Sequence, residues 1–260
     1  MTPAPAPAPT SSDASLALDA PEQVKDLLLR LHTESLAQEA ELNKPGGKAE
    51  ALKTLKKQGE AGDAGAQAAF QGQFDDLMRD KMISLEQDKA LFVYHLCRAL
   101  SATRIVEAGT SFGLSTIYLA LAVGQNASKL DPEQRKAARV IATEQEPSKI
   151  ARARQHWREA GEEVERWIEL REGDLRQTLA SGLPGDIDFV LFDIWTPMVL
   201  PTLRLLEPNL KKGAVIVADN VTTSAYDYGD FHEYIQAHRS AYRSLVLPYS
   251  GGLEFTVYDP

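Results

Sequence analysis

Asp193 closes the apolar run Phe189-Val-Leu-Phe192, and Asp219-Asn220 closes Ala214-Val-Ile-Val-Ala218. Short apolar runs of this kind predict buried strands. If the two strands are parallel neighbours, their tips meet over one edge of the sheet. Asp193, Asp219 and Asn220 would then bring three hard oxygen donors to one place. Such a set suits a divalent cation, Mg²⁺ or a close relative, with water or a ligand filling the remaining positions. A hydroxyl bound to that ion loses its proton more easily. The plainer alternative is that one acid caps a loop and Asn220 supports a turn.

A second group of acids surrounds a glycine loop. In Arg104-Ile-Val-Glu-Ala-Gly-Thr-Ser-Phe-Gly-Leu-Ser-Thr116 an apolar run ends at Ala108, a tight loop spans Gly109 to Gly113, and a helical pattern runs from Leu114 to Val123. Strand, glycine loop and helix in that order build a nucleotide pocket at the carboxyl end of the first strand of a doubly wound domain. The negative charge of Glu107 would repel a pyrophosphate. It suits a ligand carrying an ammonium and a sulfonium, which points to S-adenosylmethionine held by Gly109, Thr110 and Ser111. Glu144, ending Val140-Ile-Ala-Thr143, is placed to accept both ribose hydroxyls. Ser115 either receives the methionine carboxylate at a helix amino end or merely caps that helix. Asp174, beside Leu175, either bonds the adenine amino group or caps the helix it begins.

These residues need a frame. From Arg104 onward the chain alternates in βα units, with strands expected at 105–108, 140–143, 168–170, 189–192 and 214–218. Helices between them centre near Ile117, Ala153, Thr178 and Leu203. Pro147 is harmless at a helix start. Ser244–Leu247 and Leu253–Tyr258, joined by a glycine turn, predict a closing antiparallel hairpin. The fold class is therefore α/β, a doubly wound, seven-stranded, mostly parallel sheet. Residues 1–18 are Pro/Ala-rich and expected to be disordered. Residues 19–82 form a helical extension, with an apolar stripe at Val24, Leu27, Leu28, Leu31 and Leu36 that would cover the substrate mouth, face a dimer partner or pack on the sheet domain. Ser84-Leu-Glu-Gln87 reads as a capping box opening the sheet domain, 83–260.

The bulk numbers are consistent with this frame. With 43% hydrophobic and 25% charged residues the composition is that of an ordinary globular chain. A net charge of −9 argues against a nucleic-acid partner. No apolar run is long enough for a membrane helix, and no secretory signal pattern opens the chain. The single cysteine, Cys97, excludes an intrachain disulfide, predicts a cytoplasmic location, and reads as a buried small hydrophobe.

Taken together, Val106–Thr116, the Glu144 tip, Phe192-Asp-Ile-Trp195 and Ala218-Asp-Asn-Val221 resemble the metal-dependent small-molecule O-methyltransferases of catechol and caffeoyl-CoA type. The resemblance covers roughly residues 82–258. It implies a class I, Rossmann-like methyltransferase fold, S-adenosylmethionine as cofactor, Mg²⁺ assistance and a small, aromatic or catechol-like hydroxyl acceptor. It also implies a homodimer. In that family the positions matching Glu107, Ser115 and Glu144 serve the cofactor's amino acid part, its carboxylate and its ribose. Those matching Asp193, Asp219 and Asn220 ligate the metal, and Lys81-Met82-Ile-Ser84 resembles the segment that approaches the methionine moiety. Asp193 and Trp195 are expected beside the cofactor; Trp195, Met198 and Tyr226 either wall the acceptor pocket or serve only core or surface packing.

One position departs from the pattern. Where catechol-type enzymes carry a lysine base after Asp-x-Trp, this chain has Thr196. A threonine takes no proton at neutral pH unaided, so the metal, His232 or Tyr228 would have to serve, or the protein binds cofactor without turnover. A histidine at His232 is otherwise an ordinary surface or structural residue. An NAD-linked oxidoreductase would require Gly-x-Gly-x-x-Gly and no acid at 107, and this chain meets neither condition.

Overall fold

The computed structural model describes residues 17–45 and 47–260. Seven strands form one sheet: β1 (Arg104–Ala108), β2 (Arg139–Glu144), β3 (Ile168–Glu172), β4 (Ile187–Phe192), β5 (Leu210–Asp219), β6 (Tyr242–Leu247) and β7 (Leu253–Tyr258). Their order is β3-β2-β1-β4-β5-β7-β6. All neighbours are parallel except the two pairings made by β7. The hairpin is thus threaded so that β7 lies between β5 and β6, and β6 forms the outer edge.

The sequence explains why the centre of the sheet is dry. Every residue of β4 is buried, because helices cover both faces and an alternating polar face would be stranded there. Asp188 is the polar exception in β4. It is tied down by the backbone N–H groups of Thr103 and Arg104, each at 2.8 Å, and by Lys211. The chain reverses strand order between β1 and β4, and in sheets of this kind ligands bind in the crevice beyond the strand tips at that switch.

The longer helices are α1 (Glu22–Leu42), α2 (Lys48–Glu60), α3 (Ala64–Met78), α4 (Gln87–Ala99), α5 (Leu114–Ala127), α6 (Pro147–Ala160), α7 (Val199–Leu206) and α8 (Gly229–Ala237). The helices α1, α4, α5 and α6 share one core with one face of the sheet, and α7 and α8 share a second core with the other. Val24, Leu27, Leu28 and Leu31 of α1 are buried in the first core, which at about 1.5–3 kcal/mol per fully buried side chain makes α1 part of the body. The stripe that suggested a dimer surface is therefore used within the chain. Gln23 and Arg30 reach Glu159 on α6 at 2.7 and 2.6 Å, and His32 pairs with Tyr118 at 3.0 Å. Burial lowers the pKa of His32 to about 4, so it is neutral there.

Two local readings change. Of the tail expected at 1–18, residues 1–16 lie outside the described residues, but Leu18 is 2% exposed and joins the core. The capping box does not form: α4 begins at Gln87 behind Glu86 with no side-chain cap, and the Ser84 N–H donates to Ser35 Oγ on α1 at 3.1 Å. A tertiary contact has taken the place of the local motif. Pro147 does open α6. Cys97 is fully buried, and burial pushes its thiol well above the usual value. Among the described residues no helix is long and apolar enough to cross a membrane.

Candidate active site

The loop after β1 is shaped by its neighbours. Gly109 has φ +91, and a Cβ there would come within 2.0 Å of the Asp193 carbonyl oxygen, so β4 can end against the loop only because 109 is glycine. Gly113, at φ +79, has Trp157 packed where a side chain would go. Backbone hydrogen bonds fix the loop to β2: Thr110 N–H to Thr143 O at 2.9 Å and Ser111 N–H to the Glu144 carboxylate at 2.8 Å.

Beyond the strand tips opens a cavity of about 510 Å³, within the size range of small-molecule sites. Gly109, Ser111, Glu144, Asp174, Leu175, Asp193, Trp195, Asp219 and Asn220 all line it. Thr196 and Met198 line it as well, while Phe74 and Met78 of α3 and Ile83 form an apolar wall. The helical extension thus reaches the mouth. A 3.1 Å ion pair from Lys56 on α2 to Asp227 ties it to the loop following Asn220.

Several expected residues lie behind the wall instead. Glu107 is fully buried and accepts three hydroxyl hydrogen bonds, from Ser115 at 2.6 Å, Thr116 at 2.6 Å and Thr110 at 2.8 Å. Burial raises its carboxyl above the usual range, against the pull of those hydroxyls. Ser115 Oγ is therefore spent on Glu107 rather than left for a carboxylate ligand, because an unsatisfied buried carboxylate is the costlier alternative. Met82 is also fully buried, its N–H on Gln38, and Ile83 takes its place at the cavity. Asp174 caps the helical turn at Leu175–Thr178 through Arg176 N–H at 2.9 Å and also binds the Arg176 guanidinium. Tyr226 is 65% exposed and absent from the cavity lining.

His232 does not reach the cavity. Its Nε2 lies 2.6 Å from Glu254 on β7 and its ring stacks on Tyr228. The hydrogen bond to Glu254 raises its pKa, with burial opposing. Tyr228 is buried, donates to the Asp219 backbone carbonyl at 2.8 Å, and has its phenol pushed far up by burial. Both side chains hold α8 against the sheet. Neither is placed as a base.

Asp193 and Asp219 do converge, as the strand order requires. Burial pushes the Asp193 carboxyl well up, and the neighbouring Asp219 pushes it further. Its carboxylate accepts no hydrogen bond among the described residues. Asp219 is pushed up to about 6 by burial, and Lys89 pulls the other way. Asn220 holds φ +61 and donates its amide to Asp219 Oδ2 at 3.0 Å. An open carboxylate beside a second one, both facing one cavity, fits a hard cation; for Asn220 to join them its amide oxygen would turn toward the ion.

Lys89 was not foreseen. It lies fully buried on α4, with Nζ 2.6 Å from Asp219 Oδ1 and 2.7 Å from Glu86. Burial alone would lower its pKa, yet Asp219 and Glu86 outweigh that and raise it. The pair is charged at neutral pH. A signal was present: Lys89, Val93 and Cys97 follow one another at helical spacing, and a lysine in an apolar stripe demands a buried partner.

The strand order, the glycine loop and the crevice beyond the strand tips have the architecture of the class I methyltransferase fold. A family model described as a methyltransferase domain matches residues 106–221. The chain is similar to a catechol O-methyltransferase of Mycobacterium tuberculosis, 31% identical over 139 residues, covering 54% of this chain and 56% of that protein. It is similar also to catechol O-methyltransferase B of Danio rerio, 28% identical over 191 residues, covering 69% and 67%. The matches thus span about half and two-thirds of the length of these relatives. The fold matches an SAH-bound Podospora anserina methyltransferase with a TM-score of 0.61 at 15% identity, over 96% of this chain and 94% of that one. These comparisons show a class I methyltransferase fold and a likeness to catechol O-methyltransferases over part of the chain.

Proposed function

We propose that this protein transfers the methyl group of S-adenosylmethionine to a hydroxyl of a small, aromatic, catechol-like acceptor, assisted by a divalent cation such as Mg²⁺. The observation carrying this reading is that Asp193 and Asp219 face one cavity beside the Gly109 loop, under an apolar cover. Glu144, whose oxygens already fix Ser111, Gln145 and Glu146 N–H groups, is rigid enough to orient two ribose hydroxyls. Gly109, Ser111, Leu175 and Trp195 shape the cofactor's bed, while Thr110, Ser115, Glu107 and Met82 support it from behind. Asp193, Asp219 and the Asn220 carbonyl would hold the cation, and the rest of the work is placing the acceptor oxygen in line with the methyl carbon. When bound, a divalent cation acidifies a coordinated hydroxyl. Phe74, Met78, Trp195 and Met198 offer apolar surface against which an aromatic acceptor would pack.

Thr196 at the cavity favours a second reading, a protein that binds the cofactor without turnover. Cofactor demethylation assayed with catechols, with and without EDTA, separates the two. Substituting Asp219→Ala is expected to lower metal-dependent turnover at least 100-fold, on the scale of losing a transition-state charge contact, with S-adenosylmethionine affinity nearly unchanged by calorimetry. Equal loss of both would refute the cation assignment. Binding of NAD in place of S-adenosylmethionine would refute the whole reading.

A further inference from the structure

The buried ammonium of Lys89 is unexplained by cofactor or acceptor, because it does not line the cavity. It is fully buried against Asp219 at 2.6 Å, with Glu86 at 2.7 Å as its second carboxylate. Glu39 on α1, Asp193 on β4 and Asp219 on β5 each sense its positive charge, and Glu39, Asp193 and Asp219 each also sense Glu86. Glu107 adds a further negative charge on Asp193. Carboxylates outnumber the single ammonium here. Such a cluster could not stay ionised and folded without it, since a buried charge left unpaired is strongly destabilising.

We propose that Lys89 is a positioning residue: its ammonium holds the Asp219 carboxylate at the cavity edge and acts as the resident counter-charge of the acid cluster, so that the site is assembled before a divalent cation enters. The inference rests on the cation reading above. Its geometry is specific. Lys89 donates to Asp219 Oδ1 and Asn220 to Oδ2, so Lys89 still holds the carboxylate when the Asn220 amide turns its oxygen toward a cation. A lysine serving only to anchor α4 to β5 would support the fold equally whether or not a cation is present. A resident counter-charge would not, because an added dication replaces part of what it supplies.

The test is thermal unfolding of the full chain in EDTA and in millimolar Mg²⁺, for wild type, Lys89→Met and Lys89→Arg, with Mn²⁺ binding followed by electron paramagnetic resonance. Lys89→Met is expected to lose about 10 °C in EDTA. Millimolar Mg²⁺ should return roughly half of that by mass action on the folded state, while moving wild type by much less. Lys89→Arg should stay near wild type in EDTA. Equal loss for Lys89→Met in both buffers, with Mn²⁺ still bound by wild type, overturns the inference and leaves the cation site standing. No Mn²⁺ binding by wild type overturns the site and the inference with it. If Lys89→Met folds only when refolded in Mg²⁺ and melts on adding EDTA, the proposal holds; failure to fold in either buffer overturns it.

Discussion

Two buried acids, Glu107 near the tip of β1 and Asp219 at the tip of β5, lie on either side of β4 and are satisfied in opposite ways. Glu107 accepts hydrogen bonds from three neutral hydroxyls within nine residues of itself. Asp219 is satisfied by an ammonium 130 residues away and an adjacent amide. Hydroxyls meet a carboxylate's hydrogen-bonding demand but supply no counter-charge, so Glu107 becomes a fixed strut under the Gly109–Gly113 loop. An ammonium meets both demands, and it can share the carboxylate with another cation. The loop end of the crevice is held by neutral hydrogen bonds, and the Asp193–Asp219 end by a buried ion pair.

The sharpest way to break this contrast is at Lys89. Removing one partner of a buried pair costs about 3–5 kcal/mol, so Lys89→Met should lose that much in urea unfolding without added cation. Glu107→Gln should lose less, about 1–3 kcal/mol, since the amide NH₂ faces hydroxyls arranged to donate. Its pH dependence sharpens the comparison. Burial raises the folded-state pKa of Glu107 above the usual carboxylate value. The stabilisation from its protonation is therefore complete below about pH 4.5 and disappears as pH rises through the folded value. The penalty of Glu107→Gln should accordingly be larger at pH 4 than at pH 8; the reverse order would mean that Glu107 is held ionised by its hydroxyls. The smallest effect belongs to the surface strap. Lys56→Ala breaks a partly exposed pair with Asp227 and should change stability by less than about 1 kcal/mol, while stopped-flow measurement of cofactor entry shows whether the strap slows access.

Much of this was legible in the residues. Apolar runs ending in Glu107, Glu144, Asp193 and Asp219 did become β1, β2, β4 and β5 with those acids at or beside their tips. The loop glycines sat where φ is positive. What failed were assignments of partner. The spacing of Ser84 and Gln87 fits a capping box, yet Ser35 of α1 takes the Ser84 N–H. Ser115 stands at a helix amino end, yet its hydroxyl turns to Glu107. His232 follows the Asp-Asn loop in sequence, but α8 packs so that Glu254 of β7 faces it.

By itself the sequence determined the order of strands and helices, the tight turn at Gly109 and which acids stand at strand ends, because periodicity, φ preference and strand ends are local properties written in consecutive residues. Only the tertiary structure decided that Lys89 neutralises Asp219, that the extension's first helix belongs to the core and that Phe74 and Met78 of α3 line the cavity. Apolar burial is non-directional: it tells a helix which face to hide and leaves open against what. Which group stands nearest a buried charge is settled when distant faces pack, and there the cost of an unpaired ion selects the arrangement.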